Sequence, residues 1–273
     1  MTSKLSTLAA LWLGLATGAA QAGPTVEVAY ASLGGTAITF AELVAAPGDS
    51  VLIDGLLTSG GVQFGERFVG QELAVAKTPR SATAQDWFDD LSFGSPTSGL
   101  ALLAGAAGAN LGAYHYGDAD GAALFGVGPQ NSDGSDPSGF GSLAARFALP
   151  VSALGLQLRD VDGGAVTLSL YRLDGSLIEA VDLSGRTDGF YAFSRTGSAA
   201  DIAGFTLTNR DGYYGVSMDN LVVGATPVPE PASAALALAG LLAMGAASRR
   251  RSRARCGAEA LAARAVSVFR RAG

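Results

Sequence analysis

The sequence predicts an all-β fold, an antiparallel β-sandwich, followed by a single C-terminal transmembrane helix. Several stretches alternate apolar and polar residues, which is typical of half-buried antiparallel strands. Asp-Gly and Gly-Gly pairs separate these stretches and mark tight turns. Near the C-terminus, 16 uncharged residues precede an arginine cluster, which predicts a membrane-spanning segment.

Composition excludes several classes of protein. Glycine accounts for 38 of 273 residues, about twice the usual share, without the every-third spacing of collagen. With 48% hydrophobic and only 15% charged residues, the chain is too apolar for a disordered acidic polymer. One cysteine and one histidine exclude a disulfide framework, a Cys-rich zinc site and a multi-histidine metal site.

The first 22 residues have the plan of a secretory signal peptide. Lys4 supplies the positive start, residues 5–16 are mostly apolar, and Ala20 and Ala22 form an A-x-A cleavage pattern before Gly23. The alternative is a helix of the protein core at the N-terminus, but the small residues of this segment would pack poorly there. The mature chain would begin near Gly23 in an oxidising compartment, and the absence of any cysteine before Cys256 suits that location.

Residues 23–227 are predicted to be one extracytoplasmic β-sandwich domain, and their 205 residues suffice for a sizeable core. Apolar residues recur at every second position in four stretches. These alternating residues are Val26 and Val28, Leu154, Leu156 and Leu158, Val166, Leu168 and Leu170, and Phe205 and Leu207.

Turn signals divide the predicted strands at Asp162-Gly163-Gly164, Asp174-Gly175 and Asp211-Gly212. Such pairs suit turns that need positive φ. Because Asp174-Gly175 lies between two apolar runs, residues 165–171 and 177–183 are predicted to form a hairpin.

Three segments lack clear alternation. Residues 98–111 contain three glycines, which favour a buried strand and a turn over a helix. Residues 81–91 are predicted to hold one short helical turn, and residues 126–141 a long loop.

The net charge of −6 conceals two opposite blocks. Residues 23–227 carry 22 acidic and 9 basic side chains, a net charge of −13. From Arg249 onward, 8 arginines and one acid give +7. An acidic domain repels nucleic acid, so we expect no nucleic-acid partner.

The composition changes at residue 226, where a proline-rich stretch predicts extended backbone. Residues 232–247 then form the uncharged run, which as a helix reaches about 24 Å, short of a ~30 Å hydrocarbon core. The basic cluster that follows holds this end in the cytoplasm and consists of Arg249, Arg250, Arg251, Arg253 and Arg255.

Together these three parts resemble the PEP-CTERM sorting region of bacterial exported proteins, over residues 228–255. The motif residues are Val228, Pro229, Glu230 and Pro231. The resemblance implies secretion, a membrane-anchored intermediate, cleavage near the motif by an exosortase, and delivery to the cell surface or extracellular matrix. It also implies a link with exopolysaccharide and biofilm in Gram-negative bacteria.

The chain departs from this family pattern at its C-terminal tail, residues 256–273. The pattern usually stops soon after the arginines. An anchor that is never cut is the alternative interpretation of the sorting region.

A second resemblance concerns residues 55–224. Gly61 to Phe68, the turn at Val161 to Gly164, and the closing stretch from Gly215 to Gly224 are similar to PEP-CTERM ectodomains with a lectin-like or jelly-roll sandwich. The resemblance implies a fold and supplies no activity.

Catalytic candidates are few. His115 is the sole candidate base for a Ser-His-Asp arrangement, but no Gly-x-Ser-x-Gly elbow accompanies it. Asp89 and Asp90 are paired carboxylates of the kind that glycoside hydrolysis needs, although 22 acids give many accidental pairs. We therefore expect a protein that is not an enzyme.

Calcium is the better ligand hypothesis, with no other cofactor expected. An EF-hand starting at Asp118 would place Pro129 at its twelfth position, so that motif fails. The competing interpretation is that Asx side chains cap turns. The candidate ligands of a structural Ca²⁺ are Asp118, Asp120, Asp160, Asp219 and Asn220.

Two functions remain open: a purely structural surface or matrix protein, and a carbohydrate-binding module on the same sorting scaffold that would bind polysaccharide. Exposed, coplanar rings would favour sugar stacking, whereas buried rings would favour structure. The aromatic candidates are Trp87, Tyr114, Tyr116, Phe190, Tyr191, Tyr213 and Tyr214.

Overall fold

The computed structural model describes residues 24–79, 85–117, 121–129, 140–212 and 214–224. The chain divides into two compact units, residues 1–227 and 228–273, and the second lies outside the described residues. In the described residues, helix is limited to two 3₁₀ turns, Tyr30–Ser32 and Thr196–Ser198. The all-β prediction is therefore confirmed for this part of the chain.

The described strands pair antiparallel throughout. In chain order they are β1 (Thr25–Val28), β2 (Ser50–Ile53), β3 (Leu57–Ser59), β4 (Val62–Gly65), β5 (Arg67–Phe68), β6 (Gln71–Pro79), β7 (Gln85–Gly94), β8 (Leu102–Leu103), β9 (Leu111–His115), β10 (Ala122–Gly126), β11 (Leu143–Val151), β12 (Ala153–Arg159), β13 (Ala165–Tyr171), β14 (Leu177–Asp182), β15 (Gly189–Arg195), β16 (Ile202–Arg210) and β17 (Ser217–Gly224).

Two large sheets contain most of these strands. One has the order β1-β15-β12-β17-β10-β9-β2, and the other has the order β14-β13-β16-β11-β4-β3. Two-stranded pairs, β5-β8 and β6-β7, complete the described part. Because sequence neighbours such as β12 and β13 lie in different sheets, the chain crosses repeatedly between the layers.

The two sheets enclose one hydrophobic core. Leu154, Leu156 and Leu158 of β12 are fully buried in it, as are Val166 and other residues of β13 and β16. The alternating apolar residues of β12, β13 and β16 thus face inward, which confirms the period-two pattern. This arrangement is a β-sandwich.

The first predicted strand is present but mostly exposed. β1 pairs with β15 at the edge of the seven-stranded sheet, and Val26 is 44% exposed. Edge strands have a neighbour on one side only, so alternation there does not bury a full apolar face.

The predicted hairpin is confirmed. β13 and β14 pair with the register Ser169↔Ala180, and Gly175 has φ +88° in the turn between them. The Asp174 carboxylate accepts a 2.9 Å hydrogen bond from the Ser176 backbone N–H, as an Asx turn requires.

The other two turn signals connect different sheets rather than paired strands. Gly163 has φ +92° between β12 and β13, as predicted. Between β16 and β17, however, positive φ is found at Gly215 and not at Gly212, so the Asp211-Gly212 prediction is wrong in its backbone geometry.

The short helical turn predicted within residues 81–91 is wrong for residues 85–91, which belong to β7. β7 pairs with β6 through Val75↔Asp89 and Ala74↔Asp90. Phe88 is fully buried, and its ring centre lies 5.2 Å from that of Phe140. Pairing and burial on both faces therefore override the local pattern.

The remaining two predictions are partly met. Within residues 98–111 the strands are β8 and the first residue of β9, and turns lie between them. The loop predicted over residues 126–141 is closed at its base by a bridge between Gly126 and Gly141, and residues 130–139 lie outside the described part.

A second, smaller core covers the outer face of the six-stranded sheet. On β11, Ala145 belongs to the main core and its neighbour Ala144 to the small one, so the two clusters lie on opposite faces. The small core contains Phe68, Leu100, Ala144, Tyr171 and Ala203.

Candidate functional site

A polar pocket of about 290 Å³ lies on the outer face of the six-stranded sheet, beside strand β7. Its floor comes from two neighbouring strands, through the register pairs Thr167↔Thr208 and Ala165↔Arg210. Since Val166 and Leu207 are in the main core, Thr167, Thr208 and Arg210, which occupy the alternate positions of these two strands, point away from that core. The described lining residues are Asp89, Asp90, Ala165, Thr167, Thr208, Asn209 and Arg210.

Strand β7 supplies the two carboxylates of the pocket. Arg210 donates from Nη2 to Oδ2 of Asp90, which forms an ion pair across the pocket. The Arg210 side chain is half exposed and that of Asp90 is largely covered. The charge of Asp90 is therefore balanced within the pocket.

Asp89 is the most buried charged group of the pocket, with only 6% of its surface exposed. Its Oδ2 accepts a 3.1 Å hydrogen bond from the Ser142 backbone N–H, and among the described residues this is the one donor to its carboxylate. Asp89 also donates its own backbone N–H to the Phe140 carbonyl at 3.2 Å. One carboxylate oxygen thus has a backbone donor, and the other has none among the described residues.

Burial raises the pKa of Asp89 from 3.8 to about 6, because removal from water disfavours the charged form. The Ser142 hydrogen bond and the Arg67 guanidinium oppose this shift. Arg67 is itself ion-paired with Glu66. At neutral pH most Asp89 side chains are still ionised.

The sequence identified the two carboxylates but missed the rest of this pocket. The sequence marks Asp89 and Asp90 as paired carboxylates, and both residues line the pocket. Thr167, Thr208 and Arg210 were missed, although they occupy the polar positions of two strands whose apolar positions were recognised. That alternation identifies which face of the sheet points outward. It does not identify the strand that covers this face.

Among the described aromatic candidates, the rings that contact one another are not coplanar. Tyr114 and Tyr116 stack edge to face, at 4.9 Å and 85°. Phe190 tilts against Tyr30 at 52°, and Tyr191 packs against the core. Tyr214 is 72% exposed, Trp87 is partly buried, and Tyr213 lies outside the described residues.

His115 is half-buried at the end of β9. Its Nδ1 accepts a 3.0 Å hydrogen bond from the Gly117 backbone N–H. This bond assigns Nδ1 the acceptor role and leaves the proton of the neutral ring on Nε2.

Two of the calcium candidates are adjacent on β17 and bound to protein groups. Asp219 is fully buried and ion-paired with Arg159 at 3.5 Å, and its Oδ1 accepts a 2.6 Å hydrogen bond from the Asn220 backbone N–H. The Asn220 side chain donates to Gln157 Oε1 at 2.7 Å. The structure brings these two residues together as parts of a protein network.

Asp160 lies at the end of β12 and accepts a hydrogen bond from the Tyr116 hydroxyl, which is also 2.9 Å from Ser217 Oγ. Burial raises the pKa values of both Asp160 and Tyr116. Across the described ranges, no cluster of three or more His, Cys, Asp or Glu residues could hold a metal ion. Asp118 and Asp120 lie outside those ranges.

Both predicted targeting segments lie outside the described residues. This holds for the predicted cleavage residues Ala20, Ala22 and Gly23, for the motif residues 228–231, and for the arginines of residues 249–255. It also holds for the predicted transmembrane helix. Of the helices that the structure does describe, none is long and apolar enough to cross a membrane.

A comparison with protein families matches residues 227–251 to the PEP-CTERM protein-sorting motif. The matched segment contains Val228, Pro229, Glu230, Pro231 and the first three arginines of the basic cluster. No curated protein matches the chain. The chain is therefore an exported protein that carries a PEP-CTERM sorting motif behind a β-sandwich ectodomain, and this motif directs it to an exosortase.

Proposed function

We propose that the chain is a non-enzymatic protein of the cell surface or extracellular matrix. Exosortase cleavage near residues 229–231 delivers its β-sandwich there from a membrane-anchored intermediate. The match at residues 227–251, directly after the last strand of the sandwich, supports this proposal best. The delivered part is then the whole folded ectodomain.

The contacts of the catalytic candidates support a role without catalysis. A glycoside hydrolase needs one carboxylic acid and one free carboxylate across the sugar. Asp90 is instead ion-paired with Arg210, and Nδ1 of His115 is occupied by a backbone N–H.

Mass spectrometry of the protein from its own cells tests this delivery. We expect a mature form that begins near Gly23 and ends near Pro229 to Pro231. Deletion of the exosortase should leave the C-terminal segment attached. Intact protein that still carries residues 249–255 in exosortase-positive cells would contradict the proposal.

A matched pair of variants separates the motif from its surroundings. Glu230→Gln removes the acid of the matched motif, and we expect it to accumulate uncut protein. Glu259→Gln removes an acid from the tail outside the matched segment, and we expect normal processing. Equal processing of both variants would show that Glu230 is not recognised.

The pocket favours a second candidate function, carbohydrate binding on the same scaffold. Carboxylate, guanidinium and hydroxyl groups converge in it, and these are the groups that hydrogen-bond a sugar's hydroxyls. A polysaccharide of the surrounding matrix would then be the partner. A glycan array probed with the full chain in a sugar-free detergent tests this function, and no retained saccharide would contradict it.

A further inference from the structure

We propose that the pocket beside β7 binds a saccharide unit with a free amino group, held with its ammonium against Asp89 and its hydroxyls towards Thr167, Thr208 and the Asp90–Arg210 pair. This proposal rests on the carbohydrate-binding function and names its ligand class.

The size of the pocket sets the size of the ligand. At about 290 Å³ it lies at the lower limit of small-molecule sites, which start at about 300 Å³. It therefore suits one sugar ring rather than a long stretch of polymer. Neighbouring rings would extend into solvent.

The charged residues of the pocket favour a positively charged ligand. Arg210 is ion-paired with Asp90, and Arg67 with Glu66, so among the described residues neither cation forms an ion pair with Asp89. Asp89 is more than nine-tenths buried and keeps one carboxylate oxygen without a donor from the described residues. A ligand ammonium supplies both the missing charge and the missing hydrogen bond.

The same charges exclude acidic sugars. A uronate carboxylate in the pocket would meet the buried Asp89 carboxylate, and like charges in a poorly solvated site repel strongly. The ectodomain also carries a net charge of −13, which lowers the local concentration of polyanions. Cationic amino sugars are attracted by both effects.

The floor of the pocket supplies the neutral contacts. Thr167 and Thr208 are cross-strand neighbours whose hydroxyls can each donate or accept a hydrogen bond. No aromatic residue is among the described lining residues. Recognition therefore depends on hydrogen bonds and charge, which makes it sensitive to single substitutions.

Calorimetry at pH 7 with the full chain in a sugar-free detergent tests the ligand class. The probes are glucosamine oligomers, N-acetylglucosamine oligomers of equal length, and oligouronates. We expect the free-amine oligomer to bind at least about tenfold tighter than the acetylated one, equivalent to about 1.4 kcal/mol, and the uronate not to bind.

Asp89→Asn tests the residue. The amide oxygen can still accept from Ser142, so the fold should persist, and melting curves verify it. We expect the preference for the free amine to disappear. Asp174→Asn is the matched control, because it removes the same charge from an exposed turn and should keep the preference.

Thr208→Val is a second variant, and it leaves all charges in place. It should lower the affinity several-fold for every saccharide that binds. A preference that survives Asp89→Asn, or binding unchanged in Thr208→Val, would overturn the proposed site. Equal affinity for free and acetylated oligomers would overturn the amino-sugar inference alone. Failure to bind any saccharide would overturn the carbohydrate-binding function as well.

Discussion

Asp211 accepts, through Oδ1, a 2.9 Å hydrogen bond from the backbone N–H of Gly164. Its Oδ2 accepts a second, 2.7 Å bond from the N–H of Asp162. One carboxylate after β16 thus satisfies two donors of the turn that joins β12 to β13. Because β12 and β13 lie in different sheets, Asp211 stabilises a connection between the two layers.

Asp211→Ala should destabilise the ectodomain, because it leaves two backbone N–H groups without their acceptor. The expected loss is about 1–3 kcal/mol in the free energy of unfolding, measured by urea denaturation. Asp174→Ala is the control, since its turn is exposed and water can replace the carboxylate. A loss as large in Asp174→Ala would contradict the special role of Asp211.

Because of Asp89, the free energy of unfolding should fall as the pH rises from about 4 to 7. Its pKa is 3.8 when unfolded and about 6 when folded, so folding favours the protonated form. Below pH 3.8 Asp89 is protonated in both states, so its burial costs no ionisation free energy. Above pH 6 the folded state holds a buried charged carboxylate, and the free energy of unfolding is lowered by the full amount. Asp89→Asn should therefore stabilise the protein at pH 7, by up to about 3 kcal/mol.

Thermal melts of wild type and Asp89→Asn across this pH range measure the effect. The difference should vanish near pH 4, where Asp89 is neutral in both states. A difference that is constant with pH would show that packing, and not ionisation, causes it.

Replacing only one partner of the Arg159–Asp219 ion pair should lower the free energy of unfolding. Asp219 is fully buried, so Arg159→Met leaves a carboxylate without its cation, and we expect a loss of about 3–5 kcal/mol. The double variant Arg159→Met/Asp219→Leu should recover most of this loss. A double variant as unstable as the single one would show that the pair is net stabilising.

Gly175→Ala should destabilise the β13–β14 hairpin more than Gly185→Ala destabilises its own turn. Both glycines have positive φ, +88° and +72°, which costs an L-residue about 1–2 kcal/mol. A Cβ at Gly175 would also collide with the carbonyl oxygen of Pro96, whereas nothing lies within 4 Å at Gly185. Equal losses in urea denaturation would show that the Pro96 contact relaxes freely.

Calcium should leave the melting temperature unchanged, because Asp160, Asp219 and Asn220 are bound to protein groups. A titration with excess Ca²⁺, followed by chelation, measures this. A rise in melting temperature that Asp118→Asn abolishes would instead place a site at residues 118–120.

Local pattern predicted those strands whose two faces differ clearly. In β13, Val166, Leu168 and Leu170 are buried in the main core while Thr167 faces the pocket, so period two suffices. β7 was missed because Asp86, Phe88 and Asp89 are all buried, on both sides of the strand. A strand covered on two faces has no alternation to detect.

The sequence by itself determined the C-terminal sorting motif, the all-β class and the 165–182 hairpin, since each depends on residues close together in the chain. Only the tertiary structure decided the pocket, which joins Asp89 and Asp90 to Thr167, Thr208 and Arg210 from strands far apart in sequence. Alternation shows which side chains share a face. It does not show which distant strand covers that face, because that choice depends on packing across the whole sandwich.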